Sequence, residues 1–405
     1  MRPYLALGLG IGLFGIVVAC GSSDRSGFGE PPKAEAEGGA PPPSLGGDAA
    51  NTLTVQVHIT GTVYAPNGSL PMSNALVYIA SEEPGPIPEG AYCDQCVKLQ
   101  DGTFAVSAPD GTFEIKTDMP KGKVFIVTQK GQFRRVRTIE IEKEGDLDIN
   151  KDDTTLPGKS NPSKGDDIPK MVVLKDDTDF DPIDESLKKL GITEFEVKQD
   201  RSLLLDETGL AKYHVVFVPC GMAEDETTTS TQAQANVQNW VAKGGKLYVT
   251  DWSYEFVRQP FPGHMSWEGE TATLGSAASG DEWDSPANAE DTGLHDWLAA
   301  TGDSTFSVEG NWTAINDIIT MPGKNAKGED VDIVPKVWVT AQKNNQPHPT
   351  TVSFENQCGR VLFSTYHTEN STFGSGAGTL TAQEKALLYV LLEVGVCVGE
   401  RPGVN

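Results

Sequence analysis

The sequence predicts a multidomain chain: an N-terminal all-β sandwich, then an α/β region with a mostly parallel sheet. Three observations carry that expectation. From residue 53, Leu53, Val55, Val57 and Ile59 alternate with Thr54, Gln56, His58 and Thr60, the period of a half-buried strand. From Pro169, short apolar runs alternate with helix-patterned stretches, the order of parallel strands covered by helices. Before and between these regions lie stretches rich in Gly, Pro and charge, which punctuate rather than pack. The 405 residues include 57 acidic and 32 basic side chains, a formal charge of −25. That surplus argues against a nucleic-acid partner, which needs basic surface to displace counterions from phosphates, and against a polybasic grip on anionic lipid. A hydrophobic content of 38% suits packed cores and not a multi-span membrane protein.

The N-terminus reads as an address. Arg2 precedes an apolar run from Leu5 to Val18, too short for a comfortable membrane span and of signal-peptide length. It ends in Val17, Val18, Ala19, Cys20 and Gly21, which resembles the bacterial lipobox. The resemblance implies that residues 1–19 are removed, that Cys20 is lipidated, and that the membrane is reached through the acyl chains, at roughly 0.8 kcal/mol per buried methylene. Gly21 in place of Asp implies the outer membrane of the cell envelope. Residues 20–52 have almost no large apolar side chains and read as a disordered tether.

Further strands are expected at Ala75–Ala80, Thr112–Thr117, Lys123–Gln129 and Val136–Ile141, with tight turns at Asp110-Gly111 and Lys130-Gly131. The runs Ile59-Thr60-Gly61-Thr62-Val63, Ala75-Leu76-Val77-Tyr78-Ile79 and Asp110-Gly111-Thr112-Phe113 make residues 53–142 resemble the carboxypeptidase regulatory-like (transthyretin-like) domain. That family implies a non-catalytic spacer, stabiliser or binding module. An insert near residues 81–107 departs from it. Residues 143–168 read as an interdomain linker.

In the second region Met171–Leu174, Val215–Val218, Leu247–Thr250 and Val361–Thr365 are expected strands. Asp181 before Pro182 reads as the cap of a helix reaching Leu190. Ala233, Val237, Trp240 and Val241 have helical spacing and end at Gly244-Gly245. Thr381 with Glu384 is a capping box opening a final helix to about Val394. The runs 213–221, 240–251 and 359–369 make residues 169–400 resemble the class I glutamine amidotransferase-like fold and its trehalose-utilisation-type relatives, with an irregular insert at 258–330. The resemblance implies a flavodoxin-like parallel sheet. In the active family a cysteine stands on the sharp turn after the strand matching Leu247–Thr250, and a His-x-Glu follows a later strand. Here His367-Thr368-Glu369 keeps the second feature, but the turn reads Asp251-Trp252-Ser253-Tyr254 without a cysteine. Cys220 follows the preceding strand and is not expected to replace it. A Cys–His–Glu amidotransferase is therefore not expected, and the chain leans away from catalysis.

Candidate crevice residues are Asp251, Trp252, Ser253, His367 and Glu369, at the carboxyl ends of parallel strands where open sheets bind ligands. The leading reading is non-catalytic binding of a ligand or an envelope partner, or structural work. A hydrolase pairing Ser253 with His367, supported by Asp251 and Glu369, is the alternative. A third is a carbohydrate surface built from Trp252, Trp267, Trp283, Trp297 and Trp312, although such residues more often fill a core under loops. Cys93–Cys96 and Cys358–Cys397 are the expected disulfides, with Cys220 left over and buried. Asp177, Asp179 and Asp181 have the spacing of a cation loop, but Pro182 and Lys188 stand where an EF-hand needs Gly and Glu. No cofactor is expected, and no metal site stands out.

Overall fold

The alternating segment at the start of the first region forms the strand Thr54–Thr62, which pairs antiparallel with Thr112–Pro120. The computed structural model describes residues 54–94, 97–99, 102–176, 178, 180–221, 226–277, 281–368, 379–392 and 398–399. The stretches expected to be signal peptide and tether, with Cys20, lie outside the described residues.

A second sheet of five strands runs in the order Phe104–Val106, Leu76–Ala80, Gly122–Lys130, Phe133–Ile141 and Asp166–Asp167. The two sheets pack Val57, Ile59 and Ile115 with Val77, Ile126 and Ile141 in one apolar cluster. The stretch read as a linker belongs to this fold. Gly145–Asp148 pairs parallel with Thr54–Thr62, and Asp166–Asp167 pairs with Phe133–Ile141. The sequence looked solvated there because the segment is acidic. Those acids have partners: Asp167 binds Arg134 at 2.6 Å, and Asp166 binds Arg135 and Arg137, each at 2.8 Å.

The large sheet has nine strands. Glu196–Lys198, Met171–Leu174, Val215–Val218, Lys246–Thr250 and Gly359–Ser364 lie side by side in parallel. Gln346–Asn356, Lys336–Lys343, Trp283–Ala289 and Phe306–Asn311 extend it antiparallel. The second region is thus β-rich and mixed, and two strands from the stretch expected to be an irregular insert, Trp283–Ala289 and Phe306–Asn311, continue the sheet. Pro286 hid the Trp283–Ala289 strand, since proline cannot donate to a ladder. The strand accommodates it by stagger, pairing with Lys336–Lys343 only from Ala287 onward. The central parallel strands are buried throughout, as continuous apolar runs require.

Helix Thr231–Ala242 starts at Ser230, which caps Ala233 N, and buries Val237, Trp240 and Val241. The final helix, Ala382–Leu392, has the expected capping box: Glu384 N donates to Thr381 Oγ1 (3.2 Å) and Thr381 N to Glu384 Oε2 (2.6 Å). This helix packs into the same apolar cluster as the first region. Asn74 Nδ2 donates to Tyr389 OH at 2.8 Å, and Trp297 Nε1 donates to Pro71 O at 2.7 Å. The described residues belong to one compact unit with a shared core.

Cys93 is bonded to Cys358, with a Cα–Cα distance of 4.9 Å. This replaces both expected pairings. The insert lies across the amino ends of the parallel strands, where Cys358 occupies the turn into Gly359–Ser364. Two neighbours of Cys93 hold it there. Asp94 Oδ2 meets Lys246 Nζ at 3.3 Å, and a Cβ on Gly244 (φ +112°) would lie 1.9 Å from Tyr92 O. Cys96 and Cys397 lie outside the described residues.

Candidate functional site

Adjacent parallel strands bring their carboxyl ends together, so residues distant in sequence become neighbours. Val218 is in register with Val249, and Thr250 with Ser364. The residues that follow these strands are Cys220, Asp251 and His367. One ligating atom from each lies within 4.8 Å of the other two, and all three side chains are buried. Cys220 thus reaches the imidazole, contrary to its expected separation from the site.

Asp251 sits on the sharp turn itself, with φ +45°, a left-handed conformation that few residues other than glycine adopt. Its carboxylate accepts from Trp312 N (3.1 Å to each oxygen) and Thr313 Oγ1 (2.8 Å). Cys220 Sγ lies 3.8 Å from Asp251 Oδ2. His367 Nε2 lies 3.3 Å from the same oxygen, close enough for charge attraction but misaligned for a hydrogen bond. Neither ring nitrogen of His367 has a hydrogen-bond partner among the described residues, although the side chain is 1% exposed. On the Nδ1 side stands Gly310 (φ +73°), where a Cβ would lie 3.2 Å from Nδ1 and 3.8 Å from Glu282 Oε1.

Asp181 completes the polar cluster. Rather than capping the next helix, whose N-cap is Pro182, it is buried and ties strands together. It accepts from Thr250 Oγ1 (2.8 Å), from Thr368 N (2.9 Å) and from the Thr368 hydroxyl. Thr250 Oγ1 in turn accepts from Cys220 N at 2.8 Å. Burial pushes the Asp181 and Asp251 carboxyls above their ordinary pKa. Burial would push His367 down, but the carboxylates of Asp251, Asp181 and Glu282 outweigh it and hold the imidazole above its ordinary value.

Ser253 does not pair with His367 in this arrangement. Its hydroxyl donates to Pro219 O at 2.6 Å and accepts from Arg201 Nη2 at 3.2 Å, fully buried. Glu369 lies outside the described residues, as do Asp177 and Asp179. Asp181, the third residue of that spacing, is turned inward onto Thr250 and Thr368.

Trp252 follows Asp251 directly and is half-buried. It packs edge to face on Trp312 (5.3 Å between ring centroids) and on Phe180 (5.9 Å), which is 49% exposed. An aromatic trio therefore borders the buried polar centre. The other expected sugar-stacking residues are used elsewhere. Trp267 packs on Tyr254 and Phe363, Trp297 fills the shared core, and Trp283 Nε1 donates to Thr313 O at 3.1 Å.

The sequence reading missed Cys220, Asp181, Thr313, Trp312, Glu282 and Phe180 as parts of this centre. Cys220 had a signal, since residues one or two places beyond neighbouring parallel strands lie side by side. Thr313 and Glu282 had none, because their segment was not recognised as part of the sheet.

No family model matches the chain, and no curated protein matches it. Among solved structures, it is similar to a GH42 β-galactosidase from G. stearothermophilus at 15% identity and TM-score 0.29, over 56% of this chain and 30% of that one. It is similar to a cytoplasmic protein from Salmonella typhimurium at 11% identity and TM-score 0.32, over 55% of this chain and 98% of that one. It is also similar to an exo-β-1,4-mannosidase from an Opitutaceae bacterium at 8% identity and TM-score 0.27, over 49% of this chain and 31% of that one. The chain thus spans about a third of each of the two glycosidases, and scores this low establish no shared function.

Proposed function

We propose that this chain is a lipid-anchored protein of the bacterial cell envelope. Its second region binds a ligand at the carboxyl end of the parallel strands, without catalysing a reaction on it. The observation that carries the reading is the aromatic trio Phe180, Trp252 and Trp312 bordering the buried Asp251–His367 centre. Aromatic faces with a polar group beside them are what an amphipathic ligand such as a glycan requires. The lipobox-like run at Cys20 and the Cys93–Cys358 disulfide support an oxidising location outside the cytoplasm. Among the described residues no helix is long and apolar enough to cross a membrane. The parallel order of five strands, with a strained residue on the turn after one and a histidine after its neighbour, supports an amidotransferase-like ancestry. The two sheets of the first region support the carboxypeptidase regulatory-like reading. A Ser253 hydrolase is not favoured, because that hydroxyl is held by Pro219 and Arg201.

The test is titration of the full mature chain with peptidoglycan fragments and lipopolysaccharide oligosaccharides, followed by tryptophan fluorescence. A saturable change is expected, with the affinity falling at least tenfold in Trp252→Ala. Failure of the whole panel to bind, or undiminished binding by Trp252→Ala, would refute a glycan site at this face.

A further inference from the structure

We propose that Cys220, Asp251 and His367 form a binding site for a borderline-soft divalent metal ion, Zn2+ above all. The inference rests on reading this end of the sheet as the functional face.

Three different donors converge: a thiol, a carboxylate and an imidazole, with their ligating atoms within 4.8 Å of one another. Nitrogen and sulfur donors together select zinc-like ions over Ca2+ or Mg2+, which take oxygen. Ligand atoms about 2.0–2.3 Å from a common ion would stand somewhat closer together than this, a movement within side-chain reach.

The second observation concerns the hydrogen bonding of the imidazole. His367 is 1% exposed, yet neither of its ring nitrogens has a hydrogen-bond partner among the described residues. Nε2 has only the misaligned charge contact with Asp251 Oδ2 at 3.3 Å, and a metal ion held by both groups would give that nitrogen a full partner. The surroundings fit metal ligation. Trp312 N and Thr313 Oγ1 fix the Asp251 carboxylate, as outer partners fix ligating carboxylates. On the Nδ1 side, the missing side chain of Gly310 leaves room beside the ring, toward Glu282. Binding releases the Cys220 thiol proton, together with any proton held on His367 Nε2, to solvent, with no redox change. Thiolate and carboxylate then balance the two positive charges inside the protein. Three protein ligands leave a fourth position for water or an oxygen of a bound ligand.

The experiment uses the full mature chain, stripped with chelator and reloaded with Co2+ or Zn2+. We expect one equivalent of Co2+ with a cobalt–thiolate charge-transfer band, displaced by Zn2+. Cys220→Ser should abolish the band, and His367→Ala should weaken Zn2+ binding at least tenfold. Circular dichroism checks that each variant is folded. A folded wild-type chain that binds neither ion at micromolar concentration, or binds Co2+ without the thiolate band, overturns the proposal whatever the variants do. Trp252→Ala separates the two readings. Loss of glycan binding with the cobalt band intact supports both, whereas glycan binding by a chain that takes up no metal overturns this inference alone.

Discussion

Lys246→Met is expected to stabilise the protein at neutral pH. Lys246 opens a central parallel strand and is 6% exposed. Burial lowers its pKa from 10.5 to about 8, against the pull of Asp94, while Arg360 adds to the lowering. His214 also feels the Lys246 charge, though its own pKa is lowered mainly by burial. That lowering corresponds to roughly 3 kcal/mol of disfavour for the ammonium in the folded state. At pH 7 both folded and unfolded chains hold the proton, so the cost is present in full. Between about pH 8 and 10.5 the unfolded chain keeps a proton that the folded chain releases, so stability rises with pH and the cost disappears. Methionine fills similar volume without charge, and Asp94 is exposed enough to rehydrate while keeping its bond from Gln132 Nε2. The variant should gain about 1–3 kcal/mol at pH 7, with its advantage shrinking toward pH 10. Urea unfolding of both proteins at pH 7, 8.5 and 10 reads the difference and cancels groups common to both. A methionine variant less stable than wild type at pH 7, or an advantage unchanged at pH 10, would refute the reasoning.

Two further predictions concern the same end of the sheet. Gly244→Ala should cost roughly 3 kcal/mol or more, because its Cβ would meet Tyr92 O at 1.9 Å, whereas Gly122→Ala, at φ +125° with nothing within 4 Å, should cost about 1–2. Equal losses in urea unfolding would dismiss the clash. Removing Cys93–Cys358, which spans 265 residues, should cost at most about 5.6 kcal/mol by loop entropy. A Cys93–Cys96 peptide, or an unchanged melting temperature on reduction, would contradict this account.

Local chemistry was legible wherever a pattern and its partner lie close in sequence. The Thr381–Glu384 capping box, the strand at 54–62 and the buried run at 215–218 were all readable, because periodicity and propensity decide them. Asp181 was misread for the opposite reason. It has the look of a helix cap, but its donors Thr250 and Thr368 stand 69 and 187 residues away. Cys93 beside Cys96 suggested a local bridge, and only the lie of the insert across the strand ends brings Cys358 to it. The acids at 166–167 resembled a solvated linker until three arginines of the neighbouring strand were placed opposite them. At the candidate site, Asp251 and His367 were readable as residues beyond strand ends, whereas the strands around 283–311 that deliver Trp312 and Thr313 were concealed by a proline.

Tyr389 on the final helix hydrogen-bonds Asn74 and lies under the Lys130 ammonium, 4.9 Å from its ring centroid. The ribosome therefore makes one wall of the first region's core more than 300 residues after the other. Until that last turn emerges, Phe133, Met72 and their neighbours keep an uncovered oily face. A chain built this way cannot settle piece by piece during synthesis. The first region's core is completed only once the final helix is in place.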